Sequence, residues 1–153
     1  MKELNNNGSI EIYNLENGDA HISVLLEDET VWLTQSQLAE LYSTSRPNIT
    51  MHIKNIFEEN ELDENSVCKE FLQTAKDGKN YKTKYYNLDL IISLGYRVKS
   101  QVATKFRQWA TKRLKEYMIK GFSIDNERLK SNSGGNYFKE FSYCLKNEEI
   151  LIK

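Results

Sequence analysis

The sequence predicts an α+β fold in which short strands come first and helices make up most of the remainder. Three observations support this prediction. Asn17-Gly18 and Asp77-Gly78 each lie between two stretches of strand character, and both dipeptides are typical of hairpin turns. Residues 34 to 57 contain two successive helix-start patterns. From residue 101 to 120, apolar residues recur at three- and four-residue steps, as in an amphipathic helix.

A small antiparallel sheet is predicted first. Residues 1 to 9 are mostly polar and are expected to be disordered. Residues 10 to 15 and 21 to 26 alternate in polarity around the Asn17-Gly18 turn, and Val31-Trp32-Leu33 is expected to add a short third strand. The third strand ends directly before Thr34, where the first helix-start pattern begins.

Two short helices joined by a tight turn are predicted between residues 34 and 57. Thr34 is a candidate N-cap, and Gln37 completes a capping box. Ser45 is a second candidate N-cap. Pro47 then falls in the first turn of the next helix, where its missing N–H is not needed. This is the pattern of a helix-turn-helix.

The second helix is predicted to have an apolar inner face, formed by Ile49, His52, Ile53 and Phe57. Its outer face is formed by Arg46, Asn48, Thr50, Met51 and Lys54. In a helix-turn-helix this helix enters the DNA major groove, where Arg46 can pair with guanine and Asn48 with adenine. The alternative is an ordinary helical hairpin whose outer face is polar because it is solvated. Most bacterial turns of this type have glycine where this chain has Ser43.

A β-hairpin is predicted after the acidic connector at residues 58 to 65. Its strands cover residues 67 to 75 and 80 to 86, and it carries Lys76, Lys79, Lys82 and Lys84. As a wing beside the helix pair, the hairpin would reach phosphates or a minor groove. The alternative is that the lysines protect exposed strand edges from aggregation, which accounts for one or two of them better than for four.

Helices are predicted for the rest of the chain. Asn87 caps a helix that Gly95 ends, and Arg97 and Lys99 follow in the turn. The helix from 101 to 120 has an apolar stripe that consists of Val102, Phe106, Trp109, Ala110, Leu114 and Tyr117. Trp109 is expected in the core, and the basic faces of this helix are either solvated or a second phosphate contact.

The winged helix-turn-helix domain is expected to cover residues 10 to 130, ending in a short helix near residues 123 to 130. Residues 131 to 135 are expected to form a linker and residues 136 to 153 a helical tail. The tail is the better candidate for dimerisation, and the unused face of the helix from 101 to 120 is the other.

Charge is unevenly distributed along the chain, although the net charge is only −1. Residues 1 to 40 contain one lysine and eight carboxylates, a balance of −7. Residues 41 to 120 contain fifteen Lys and Arg and nine carboxylates, a balance of +6. The basic part coincides with the helix pair and the hairpin, where a polyanion would bind.

Several other classes of protein are not indicated. Cys68 and Cys144 are far apart and two His cannot complete a zinc set, so we expect reduced thiols, no metal and a cytoplasmic location. No signal peptide and no apolar run of about 18 residues are apparent, so no membrane contact is expected. Without a phosphate loop or a recognisable nucleophile, we expect no enzymatic activity and no cofactor.

Five stretches between residues 30 and 130 carry a family resemblance: VWLTQSQLAELY, ITMHIKNIFEENELDENSVCKEF, DGKNYKTKYYNLDLIISLGYRVKS, FRQWATKRLKEYMIKGF and NERLK. In order and spacing they resemble the RhuM family of bacterial virulence proteins. The same arrangement is more loosely similar to the phage and viral Bro-N and KilA-N modules, which implies DNA binding on a mobile genetic element. RhuM-like chains continue past GGNYF with a long helical region, so we interpret this sequence as a truncated or frameshifted member.

These observations predict a sequence-specific DNA-binding protein, a transcriptional regulator carried on a prophage or pathogenicity island. Its expected partners are double-stranded DNA and a second copy of the chain. Another regulatory protein is a further candidate partner. The alternative is a protein-interaction module of the antirepressor or antitoxin kind on the same scaffold. The predicted DNA contacts are Ser45, Arg46, Asn48, Thr50, Met51, Lys54, Lys76, Lys79, Lys82, Lys84, Arg97 and Lys99.

Overall fold

The structure is a computed structural model that describes residues 25–27, 30–130 and 137–151. Within these ranges the chain is α+β, as predicted. Its strands are β1 (Leu25–Glu27), β2 (Thr30–Trp32), β3 (Cys68–Thr74) and β4 (Asn80–Tyr86). Its helices are α1 (Gln35–Leu41), α2 (Arg46–Glu58), α3 (Glu64–Val67), α4 (Leu88–Gly95), α5 (Gln101–Lys120), α6 (Asn126–Lys130) and α7 (Tyr137–Leu151).

Some predicted features lie outside the described residues. They are the disordered segment 1 to 9, the strand at 10 to 15, the Asn17-Gly18 turn and the linker at 131 to 135.

The strands form two antiparallel pairs. β1 pairs with β2, and β3 pairs with β4 in a register that runs from Cys68 opposite Tyr86 to Thr74 opposite Asn80. An isolated antiparallel bridge connects the two strand pairs, in which Leu33 and Tyr86 exchange backbone hydrogen bonds of 2.9 and 2.8 Å. This bridge holds the start of α1 beside the end of the hairpin.

The predicted helix starts are confirmed at three caps. The Thr34 hydroxyl accepts from the Gln37 N–H at 3.2 Å while the Gln37 side chain accepts from the Thr34 N–H at 2.9 Å, which completes the capping box. Ser45 caps α2, with Pro47 in its first turn. Asn87 caps α4 through the Leu90 N–H at 3.3 Å. Each cap satisfies an N–H group that the helix itself leaves unpaired.

The main hydrophobic core is built by α1, α2, α4 and the first turns of α5. Its completely buried side chains include Leu38, Ile49, Ile56, Leu90 and Leu94. A smaller cluster of Trp32, Phe71 and Tyr85 lies between the hairpin and the first strand pair.

Three details of the sequence prediction need correction. Ile56 is completely buried although it was not assigned to the inner face of α2. Trp109 is 40% exposed rather than a core residue, although Phe106 on the same stripe is buried and Ala110 packs against the core. The four-residue helix α3 begins within the acidic connector and ends at Val67, which was assigned to the following strand.

The chain divides into two compact units, residues 1–110 and 111–153. The first contains the strands, α1 to α4 and the first half of α5. The second contains the rest of α5, with α6 and α7, and none of its described side chains is buried. Within it, Glu116 pairs with Arg113 at 3.5 Å and with Lys120 at 3.7 Å.

Candidate nucleic-acid interface

The outer face of α2 and its N-cap carry half of the residues predicted to contact DNA. Ser45, Arg46, Thr50, Met51 and Lys54 are exposed, whereas Asn48 is half-buried. Their exposure follows from the burial of Ile49, Ile53 and Ile56 on the opposite face.

Arg46 borders a groove that also contains two of the hairpin lysines. This Arg46 groove has a volume of about 600 Å³. It is lined by Thr34, Gln35, Ser36 and Gln37 from the start of α1, by Arg46 from α2, and by Lys82, Thr83, Lys84 and Tyr85 from β4. The structure therefore brings Arg46, Lys82 and Lys84 together, although 36 to 38 positions separate the arginine from the lysines in the sequence.

Side-chain hydrogen bonds hold the three walls of this groove in place. The Gln35 amide donates to the Tyr86 hydroxyl at 3.0 Å, which links α1 to the end of β4. The Thr50 hydroxyl lies 2.8 Å from the Gln35 amide oxygen, which links α2 to α1. Gln35 thus connects the helix pair to the hairpin and fixes the relative positions of the three walls.

The side chains that line the Arg46 groove carry a net positive charge. Its described lining contains three cationic side chains and no carboxylate. Lys84 also lies 3.7 Å from Glu64, but both side chains are more than half exposed, so this pair is weak and leaves most of the lysine charge available. Such a groove attracts anions, phosphates among them.

Asn48 is half-buried and takes part in a local hydrogen bond. Its side-chain amide donates to the Thr44 hydroxyl at 2.8 Å. The amide oxygen and the second N–H are not used in that bond, and contact with an adenine edge would need both an acceptor and a donor.

The hairpin tip places Lys76 and Lys79 away from the Arg46 groove, since neither lines it. The turn is tight, and Gly78 adopts a φ of 79°, a conformation that favours glycine. Asp77 closes the turn: it accepts from the Lys79 N–H at 2.9 Å and from the Tyr81 hydroxyl at 2.8 Å. These bonds lower the pKa of Asp77 and keep it charged.

Arg97 lies in an ion-pair cluster with the acidic connector. Its guanidinium donates to Glu59 at 2.5 Å and to Glu61 at 2.6 Å, and these bonds raise the pKa of Arg97 and lower that of Glu59. Ser93 also donates to Glu61, at 2.9 Å. The arginine therefore ties the segment after α2 to the end of α4, whereas Lys99, also predicted to contact DNA, is exposed in the following loop.

Some residues of the groove were not predicted from the sequence. Gln35, Ser36 and Thr83 line it beside the predicted cations. The polar string TQSQ indicates an exposed first turn of α1, but no local pattern places that turn opposite β4. Its position depends on the bridge between Leu33 and Tyr86.

The described residues contain no other recognisable kind of site. No group of three His, Cys, Asp or Glu side chains there could hold a metal ion. Likewise, no helix in the described ranges combines the length and the apolar character needed to cross a bilayer. Both cysteines are free thiols, and partial burial raises the pKa of Cys68.

Comparison with known proteins gives one match. The profile of a family described as the virulence protein RhuM family matches residues 66–147, just over half of the chain. The matched region begins at the end of α3 and runs into α7. No curated protein and no solved structure matches the chain.

Proposed function

The chain belongs to the virulence protein RhuM family, and we propose that it is a sequence-specific DNA-binding protein without catalytic activity, a transcriptional regulator carried on a prophage or pathogenicity island. The observation that carries this proposal is the Arg46 groove, in which the first residue of α2 faces two lysines of the hairpin. An arginine able to contact a base next to lysines able to contact phosphates is the combination that a DNA-binding protein requires.

In this proposal α1 and α2 form a helix-turn-helix, and the β3–β4 hairpin is its wing. The N-terminal end of α2 enters the major groove, where Arg46 donates two hydrogen bonds to guanine O6 and N7. Asn48 pairs with a neighbouring adenine through its amide oxygen and second N–H, which its bond to Thr44 does not use. Lys82 and Lys84 contact the phosphate backbone beside the same groove, while Lys76 and Lys79 at the tip reach further along the duplex.

The shared groove favours this proposal over edge protection as the reason for the lysines. Lysines that only prevent aggregation need to be exposed at a strand edge, but they need not lie near an arginine of another element. Lys82 and Lys84 occupy alternate positions of β4 and are exposed. They also line the groove with Arg46, which edge protection alone does not require.

The test is a gel shift against genomic fragments at several salt concentrations, followed by selection of a binding sequence. Replacing Arg46 with alanine should weaken binding by about 1–3 kcal/mol at one base pair of that sequence and leave the preference at the others intact. Lys112→Ala is a matched control, since it removes one exposed positive charge from the other unit. Equal binding of wild type and Arg46→Ala to every operator variant would refute the proposed role of Arg46.

We also propose that two copies bind together. One helix-turn-helix covers few base pairs, and two copies on a near-palindrome would lie about 34 Å apart. The second unit supports pairing because its described part exposes several large apolar side chains: Leu114, Tyr117, Met118, Ile119, Phe122, Tyr137, Tyr143 and Leu145. The tail is the proposed contact, since its aromatic side chains need burial that a short helix cannot provide alone.

Light scattering on the full chain and on a version ending at Lys130 tests this pairing. A dimer that becomes a monomer on truncation is expected. A monomeric full chain, or a truncated chain that stays dimeric, would rule out the tail as the contact.

The same apolar surface favours a second candidate function, a protein-interaction module of the antirepressor or antitoxin kind. The gel shift separates the two, because such a module would bind no genomic fragment.

A further inference from the structure

We propose that a second basic groove, at the start of α5, contacts the phosphate backbone of the same duplex that α2 reads. This inference rests on the proposed function and adds a second line of phosphate contacts to it. The α5 groove, as we call it, has a volume of about 650 Å³ and is lined by Lys99, Ser100, Gln101, Thr104, Lys105, Arg107 and Gln108.

The chemistry of the α5 groove suits phosphate. Its described lining contains three cations, two side-chain amides and two hydroxyls, and no carboxylate. Lys99, Gln101, Lys105 and Gln108 are all exposed, so their donors face solvent. Phosphate oxygens accept hydrogen bonds from these residue types in most protein–DNA complexes.

The backbone of the α5 groove is held firmly by Arg107. One guanidinium nitrogen donates to the Gly95 carbonyl at 2.8 Å and to the Val98 carbonyl at 2.9 Å. The other donates to the Thr104 hydroxyl at 3.1 Å. Arg107 therefore clamps the loop between α4 and α5, and Lys99 projects from a fixed position instead of a flexible loop.

The α5 groove adjoins the turn from which α2 begins. The Ser100 hydroxyl donates to the Tyr42 carbonyl at 2.6 Å and accepts from the Ala103 N–H at 3.1 Å. Tyr42 is the C-cap of α1, and only two residues separate it from Ser45, the N-cap of α2. The loop that carries Lys99 is thus bonded to the segment that positions Arg46.

Cations therefore border the N-terminal end of α2 in two places. Lys82 and Lys84 line the Arg46 groove, and Lys99 and Lys105 line the α5 groove next to the turn before α2. A helix end in the major groove lies between two phosphate backbones, so a protein that uses it needs cations beyond the helix itself. Lys105 was not among the predicted contacts, and it enters this proposal because it lines the α5 groove together with Lys99 and Ser100.

The experiment compares the salt dependence of binding for three proteins. They are the wild type, the double variant Lys99→Ala/Lys105→Ala, and the matched control Lys112→Ala/Lys115→Ala, which removes the same charge from the same helix outside the groove. The probe is a pool of mixed-sequence duplexes about two helical turns long. Since each lost phosphate contact lowers the slope of log affinity against log salt by about 0.9, the groove variant should lose about 1.8 and the control nothing.

A second measurement does not depend on variants. Acetic anhydride labels exposed lysine amines, and mass spectrometry of the wild type with and without duplex should show protection of Lys99 and Lys105. A groove variant with the wild-type slope, an equal loss of slope in the control, or equal labelling of both lysines with and without bound DNA would each overturn the inference. Failure of the wild type to bind any duplex would instead refute the proposed function.

Discussion

Gly95 is the position at which one added methyl group should most disturb the core. It is the buried last residue of α4, and a Cβ built on it overlaps the Phe106 ring and lies 2.9 Å from the Tyr42 hydroxyl. Both neighbours are buried, and their rings meet edge to face with centroids 5.9 Å apart. The Tyr42 hydroxyl also donates to the Ile91 carbonyl at 2.5 Å, so the Tyr42 ring cannot move aside without stretching that bond.

Two effects of Gly95→Ala have opposite signs, and their sizes decide the outcome. Alanine is favoured over glycine within a helix by about 0.5–1 kcal/mol. Overpacking of a well-filled core costs about 1–3 kcal/mol, and disturbing the Tyr42 hydrogen bond adds up to about 1 kcal/mol. The net expectation is a loss of up to about 3.5 kcal/mol in the free energy of unfolding, which lowers Tm by about 2–4 °C for each kcal/mol in a chain of this size.

Urea denaturation followed by circular dichroism measures this change. Phe106→Leu serves as the companion variant, because a smaller side chain makes room for the new methyl group. Alone it should destabilise the protein, but together with Gly95→Ala the loss should be smaller than the sum of the two. A Gly95→Ala protein more stable than wild type would show that helix propensity outweighs the collision and refute the reasoning.

The remaining predictions concern stability, pH and DNA binding. Ser43 has a φ of 49° in the turn before α2, so Ser43→Gly should raise the free energy of unfolding by up to about 1 kcal/mol, which the urea midpoint measures; a lower midpoint would contradict this. Arg97 lowers the pKa of Glu59 below its usual 4.5, so this pair contributes stability that is present above that pH and lost as the pH falls through the lower folded value. Glu59→Gln should therefore flatten the acid side of the stability profile, and an unchanged profile would show that the pair contributes nothing. Replacing Lys79 and Lys82 should lower the salt slope by about 0.9 for each contact, alike for all sequences, and a wild-type slope would leave edge protection as their role.

Features that depend on neighbours in the sequence were predictable. The caps at Thr34, Ser45 and Asn87 each use an acceptor and an N–H three residues apart, so the sequence contains the whole interaction. The Asp77-Gly78 turn and the hairpin around it are equally local, and both were predicted. The resemblance to the RhuM family, based on short ordered motifs, is confirmed by the match to residues 66–147.

Features that depend on distant neighbours were decided by the tertiary structure. Trp109 and Phe106 lie on one predicted stripe, but only the Phe106 ring is covered, because helical periodicity determines which residues share a face and not how far a neighbour extends along it. Arg97 forms ion pairs with Glu59 and Glu61 because the end of α4 lies against the segment after α2. Arg46 likewise meets Lys82 and Lys84 because two backbone hydrogen bonds join Leu33 to Tyr86. The sequence alone thus determined which segments carry the cationic side chains, and the packing of strands and helices far apart in the chain decided which of those cations lie together.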